Sequence, residues 1–141
     1  MSSYMLDTDL CIRVLRDRTP ELNDRFSLHG DALYISTITL TELLLGAAKS
    51  MRPEQDRQKV DRFAARLKVL PFDALAAEHA ADIRAVLERI ARKIGPHDSL
   101  IAGHARSRGL IIVTGNVREF GRVDGLRCEN WFPVADGFHE D

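Results

Sequence analysis

Short apolar runs punctuate this chain, and most are separated by enough sequence for at least one helix. They are "YML" near the N-terminus, "ALYIS" at 32–36, "KVLPF" at 68–72, "LIIV" at 110–113 and "LRCENW" at 126–131. Runs of this length, rich in β-branched and aromatic residues, read as strands. The intervening segments have helical periodicity. Residues 8–17 carry Leu10, Ile12, Val14 and Leu15 among polar neighbours, and Pro20 opens a short helix to about His29. Residues 37–50 follow, with Thr39 and Glu42 at capping-box spacing. Pro53 starts a helix bearing Val60, Phe63 and Leu67. The longest helix is expected over 73–94, where Leu75, His79, Ile83, Val86, Ile90 and Ile94 recur every three or four residues. A last one, 97–108, stops at Gly109. Strands separated by helices require right-handed crossovers, which make a parallel sheet covered on both faces. The expected fold is α/β, a three-layer α/β/α domain with a mainly parallel central sheet and "LRCENW" on its edge. A length of 141 residues predicts a single domain over 1–141, with its core over about 3–131 and a patternless tail at 132–141.

In such a sheet, sites gather outside the carboxyl ends of the strands. Four polar residues stand there. Asp7 follows "YML", Asn116 lies just beyond "LIIV", and Glu42 sits past "ALYIS" in the expected first turn of the next helix. Asp98 opens the helix that leads into "LIIV", and a helix antiparallel to that strand begins at the same edge. Each also has a local explanation. Asp7 and Asp98 suit helix N-caps, Glu42 closes a capping box with Thr39, and Asn116 suits a left-handed turn position. Together they make a set of oxygen donors, which fits a hard cation such as Mg2+ or Mn2+. No Cys/His cluster offers a zinc site, because Cys11 and Cys128 lack ligand spacing. A divalent ion among clustered carboxylates relieves their repulsion and supports phosphodiester hydrolysis.

Composition excludes several other classes. The net charge of −1 gives no global attraction for nucleic acid, so a polyanion must meet a local patch. Arginine supplies 16 of the 20 basic residues, a bias that codon composition also produces. No apolar run is long enough to span a bilayer, and the N-terminus has no signal-peptide pattern. Two cysteines form no disulfide framework, which points to a reducing cytoplasm and no membrane partner.

The wording "MLDTD", "TLTELLLGAAKS", "VLPFD" and "IGPHDSLIAGHARSRGLIIVTGNVREFGRVDGLRCENW", in this order, resembles the PIN-domain ribonucleases, and within them the VapC toxins of bacterial toxin–antitoxin pairs. The resemblance runs from Tyr4 to Trp131. It implies an acidic Mg2+ site, endoribonuclease activity and inhibition by a cognate VapB-type antitoxin. It also implies dimerisation, with higher assembly on operator DNA. Close wording resembles members that cut tRNA, including the anticodon loop of initiator tRNA. By motif, Asp7, Glu42 and Asp98 match the metal-binding acids and Asn116 the fourth position. Two departures stand out: Asp9, where many relatives have Asn, and Gly115 in "TGN", which is expected to loosen the turn presenting Asn116. Asp9 is expected to bond the backbone of the helix it begins.

Other residues have weaker signals. Thr114 and Ser36 sit where they could support a carboxylate. Arg118 and Arg122 could meet phosphate or an antitoxin carboxylate, and His97 could donate a proton; none exceeds its reading as a solvated loop residue. Glu119 could pair with the neighbours of Arg118 or approach the site, and neither reading is favoured. His79 and His104 read as packed side chains. The run Leu43–Leu45 with Ala47 and Ala48 mixes core with a surplus suited to a dimer or antitoxin groove. Two rival readings remain: an aspartate-nucleophile phosphatase, with Asp7 as nucleophile and Asp9 as acid/base, and a non-catalytic fold that binds antitoxin and operator DNA.

Overall fold

The computed structural model describes residues 2–16 and 20–132. Residues 133–141, most of the expected tail, lie outside the described residues. Strands β1 (Tyr4–Leu6), β2 (Leu33–Ser36), β3 (Lys68–Leu70), β4 (Ile111–Val113) and β5 (Cys128–Glu129) form one sheet in the order β3-β2-β1-β4-β5. Every pairing is parallel, so all strand C-termini share one edge. Strand "LRCENW" is shorter than expected and lies on the edge, as anticipated.

Alternation along the strands divides two cores. Tyr4, Leu6, Leu33, Ile35, Ile111 and Val113 face one layer, where they meet α1 (Thr8–Leu15), α2 (Pro20–Leu28), α3 (Thr37–Ala48) and α4 (Pro53–Ala64). Met5, Tyr34 and Ile112 face the other, against α5 (Ala74–Arg89) and α6 (Pro96–Arg108), with Phe120 of the one-turn α7 (Val117–Phe120). The three layers match expectation. The turn α7 was not anticipated: it is too short for periodicity to register, and its fully buried Phe120 anchors it.

Helix α5 departs most from the sequence reading. It ends at Arg89 instead of running to 94, and Ala91 takes a left-handed φ of 57° just after it. Its buried face is Ala76, Ala80, Ile83 and Leu87, whereas Leu75 and Ile90 are about half exposed. The reason lies in α6. A Cβ on Gly103 would stand 2.4 Å from the Ala80 amide nitrogen, so the two backbones touch and only small residues fit between them. Close packing therefore overrides the larger apolar stripe. Gly109 caps α6 at φ 67°, in the left-handed conformation that favours glycine.

Candidate active site

Asp7 is fixed by three elements at once. Its amide donates to the Val113 carbonyl at 3.0 Å and extends the β1–β4 ladder by one step. Its carboxylate accepts from the Leu10 amide at 2.9 Å and caps α1. The Thr114 hydroxyl at the end of β4 also bonds it. Asp7 is 4% exposed, and burial pushes its carboxyl up to about 6, against these stabilising bonds and with help from Asp9 and Asp98. The cap and the candidate metal ligand are thus the same residue. Asp9 does not cap the helix as expected. It is exposed in the first turn of α1, and its charge acts on both Asp7 and Asp98.

The capping box of Thr39 and Glu42 does not form, because α3 begins three residues earlier than that motif requires. Ser36 is the N-cap and accepts from the Ile38 amide at 3.0 Å. Glu42 therefore lies in the second turn, not the first. That frees its carboxylate to accept from the Thr8 hydroxyl at 2.6 Å and to meet His97 Nδ1 at 2.9 Å. The contact makes His97 more than a solvated loop residue, although its side chain remains 63% exposed. Ser36 faces elsewhere: its hydroxyl lies 2.8 Å from Nδ1 of buried His104.

Asp98 is not an N-cap either. Gly95 takes that position, Pro96 opens α6, and Asp98 falls in the first turn. Its carboxyl is pushed up to about 6 by partial burial, then by Glu119, Asp9 and Glu42. Asn116 has φ −110°, so it is not left-handed; its amide donates to Thr114 Oγ1 at 2.9 Å. Its side-chain Nδ2 donates to Glu119. Gly115 does not loosen this turn. A Cβ there would stand 2.6 Å from the Phe132 ring, so glycine lets that ring close over the turn.

All four expected residues thus reach the C-terminal edge of the sheet, and Glu119 joins them. The sequence left Glu119 unassigned because its signal was only its place three residues after Asn116, which matters once α7 turns. Arg122 donates to the Lys93 carbonyl at 3.1 Å, tying the loop after α7 to the one before α6. An open cleft of about 360 Å³ borders the cluster at Glu42 and Asp98, and Thr8, Asp9, Lys49 and His97 also line it. The N-termini of α1 and α6 direct positive potential at it.

The donor set fits a hard divalent cation. Three oxygen-donor carboxylates repel one another, two of them already reluctant to ionise, and the neutral carboxamide of Asn116 adds a fourth oxygen. Among the described residues no three His, Cys, Asp or Glu side chains are yet grouped tightly enough to hold an ion. A hard cation that keeps several waters binds only one or two carboxylates directly.

Comparison with known proteins agrees with this reading of the fold. Residues 4–126 match the family profile "PIN domain". The chain is 50% identical to the tRNA(fMet)-specific endonuclease VapC of Shigella flexneri over 93% of this chain and 99% of that protein. It is 43% identical to ribonuclease VapC2 of Haemophilus influenzae over the same shares. Among solved structures, DNA-bound VapBC of Salmonella typhimurium superposes with a TM-score of 0.89 at 46% identity, covering 93% of this chain and 99% of that one. VapBC2 of Rickettsia felis, bound to a promoter fragment, gives 0.86 at 35% identity, covering 91% and 98%. The chain belongs to the PIN-domain family, within its VapC ribonucleases.

Proposed function

We propose that the chain is the toxin of a toxin–antitoxin pair, a divalent-metal-dependent endoribonuclease that inhibits translation by cutting tRNA, with initiator tRNA the first substrate to test. The observation that carries the reading is the convergence of Asp7, Glu42, Asp98 and Glu119 from separate elements on one sheet edge, where two carboxyls are pushed up to about 6. The names of the relatives supply the substrate class.

Asp7, Glu42 and Asp98 would hold Mg2+ or Mn2+. When bound, the ion polarises the scissile phosphodiester and lowers the pKa of a coordinated water. The chain's own part is orientation. Thr114 and the Leu10 amide aim Asp7; Thr8 and His97 aim Glu42; Glu119 and Thr114 hold Asn116. Such supporting bonds govern how strongly a ligand set grips its metal. A VapB-type antitoxin is the inhibitory partner, and complexes with it on operator DNA and a toxin homodimer complete the assembly. The VapBC complexes among the structural neighbours, two of them bound to DNA, support the antitoxin and DNA partners.

The test is cleavage of purified tRNA by purified protein with Mg2+ or Mn2+. Asp7→Asn, Glu42→Gln and Asp98→Asn are each expected to abolish cleavage and growth inhibition while circular dichroism stays unchanged. A wild-type protein that leaves all RNA intact and is harmless on expression overturns the reading. Asp9→Asn is expected to retain activity. If it is as inactive as Asp7→Asn, the phosphatase-like reading is favoured instead.

A further inference from the structure

The opposite end of the sheet has the opposite charge. At the N-terminal rim of the strands an open cleft of about 520 Å³ is lined by Ser2, Ser3, Tyr34, Arg108 and Arg127, with Leu70, Gly109 and Leu110 in its wall. Among the described residues no carboxylate lines it. Lys68, on the neighbouring edge of β3, holds its ammonium 5.4 Å from the centre of the Tyr34 ring. Among the described residues none of Arg108, Arg127 and Lys68 makes an ion pair with a carboxylate. Asp73 feels the charge of Arg108 through space, but its own oxygen accepts from the Ala76 amide at 2.9 Å.

Part of this has a structural explanation. Arg108 lies in the last turn of α6, where a cation complements the helix dipole. That accounts for neither Arg127, which comes from the loop before β5, nor the concavity the two share. Two planar guanidinium forks beside serine hydroxyls match the oxygens of a phosphate. The volume falls within the range of nucleotide-sized sites and far exceeds what one phosphate fills.

We propose that this cleft is a second binding site, which takes the phosphate of a nucleotide unit between Arg108 and Arg127. The source is either an RNA strand anchored away from the cut or a free nucleotide. The charge distribution favours the strand. The acidic edge repels a polyanion and the net charge of −1 offers no compensating field, so RNA affinity must come from a local cationic surface. This arm rests on the ribonuclease reading, whose own failure would show separately as intact tRNA with Mg2+.

The experiment uses the full chain in EDTA, where binding is read without cleavage. Fluorescence anisotropy of labelled tRNA over a salt series compares wild type with Arg108→Gln/Arg127→Gln and Arg108→Lys/Arg127→Lys. The glutamine pair is expected to make the log–log salt slope shallower by about 0.8, as one phosphate contact requires, while the lysine pair keeps the slope. In parallel, adenosine 5′-monophosphate and orthophosphate are titrated while the amide signals of Ser3 and Gly109 are followed by NMR. If the tRNA slope is unchanged but the mononucleotide shifts those amides in wild type and not in the glutamine pair, the source is a free nucleotide and the site stands. An unchanged slope with no amide shift, from variants whose spectra are otherwise native, overturns the proposal.

Discussion

The hydroxyl of Thr8 donates to Glu42 Oε1 at 2.6 Å, a bond that joins the first turn of α1 to the second turn of α3. Thr8 also lies 3.2 Å from the hydroxyl of Thr39, which is fully buried, so its rotamer is held from two sides. The bond fixes one candidate ligand relative to Asp7, the neighbour of Thr8 in sequence. Thr8→Val keeps the shape and removes the donor. It is expected to weaken metal affinity about 10- to 100-fold, measured by calorimetric titration of Mn2+. The folding stability should fall by only about 1 kcal/mol.

The raised carboxyl of Asp7 predicts a sign that is easily taken the wrong way round. Between its ordinary value of 3.8 and about 6, the folded protein holds a proton that the unfolded chain has released. Stability therefore falls as pH rises through that window, and above it the buried charge costs roughly 3 kcal/mol. Asp98, also raised to about 6, acts in the same direction. Asp7→Asn retains an acceptor for the Leu10 amide and removes the charge. In EDTA at pH 7.5 it is expected to melt at a higher temperature than wild type, although it is inactive. Below pH 4 the difference should vanish, and saturating Mg2+ should narrow it at pH 7.5. A lower melting temperature for the variant in EDTA would contradict this account.

Glu119 acts on Asp98 by charge and on Asn116 by hydrogen bond. Glu119→Gln removes the charge and keeps a side-chain oxygen facing Asn116. The Asp98 carboxyl should then titrate lower than about 6, which carbon-detected NMR of the Asp98 side chain would follow. RNA cleavage should decline, with the larger loss in kcat. An unmoved Asp98 titration would remove Glu119 from the site.

Gly103 sets how closely α5 and α6 pack. In Gly103→Ala the new Cβ would meet the Ala80 nitrogen and Cα at 2.4 and 2.5 Å, and both are backbone atoms that cannot turn aside. The expected loss is about 3 kcal/mol of stability, read from urea unfolding. Because α6 carries Asp98, some loss of activity should accompany it at temperatures where the protein is still folded.

The sequence by itself determined the layers and the edge. Strand runs such as "LIIV" are too short and apolar to be anything but buried strands between helices, and a parallel sheet then puts Asp7 and Asn116 at one end whatever the side-chain details. Start signals at Pro20 and Pro53 hold because proline fixes φ and lacks the amide that a first turn leaves unbonded. Tertiary structure decided the rest. It chose which face of α5 is buried, since the contact with Gly103 rewards alanine over leucine at that distance. It chose Ser36 over Thr39 as the cap of α3 and so freed Glu42 for Thr8 and His97. It also recruited Glu119 through a single turn too short to leave a period. Local sequence fixes where a helix is able to start, but which carboxylates face one another depends on packing between segments dozens of residues apart.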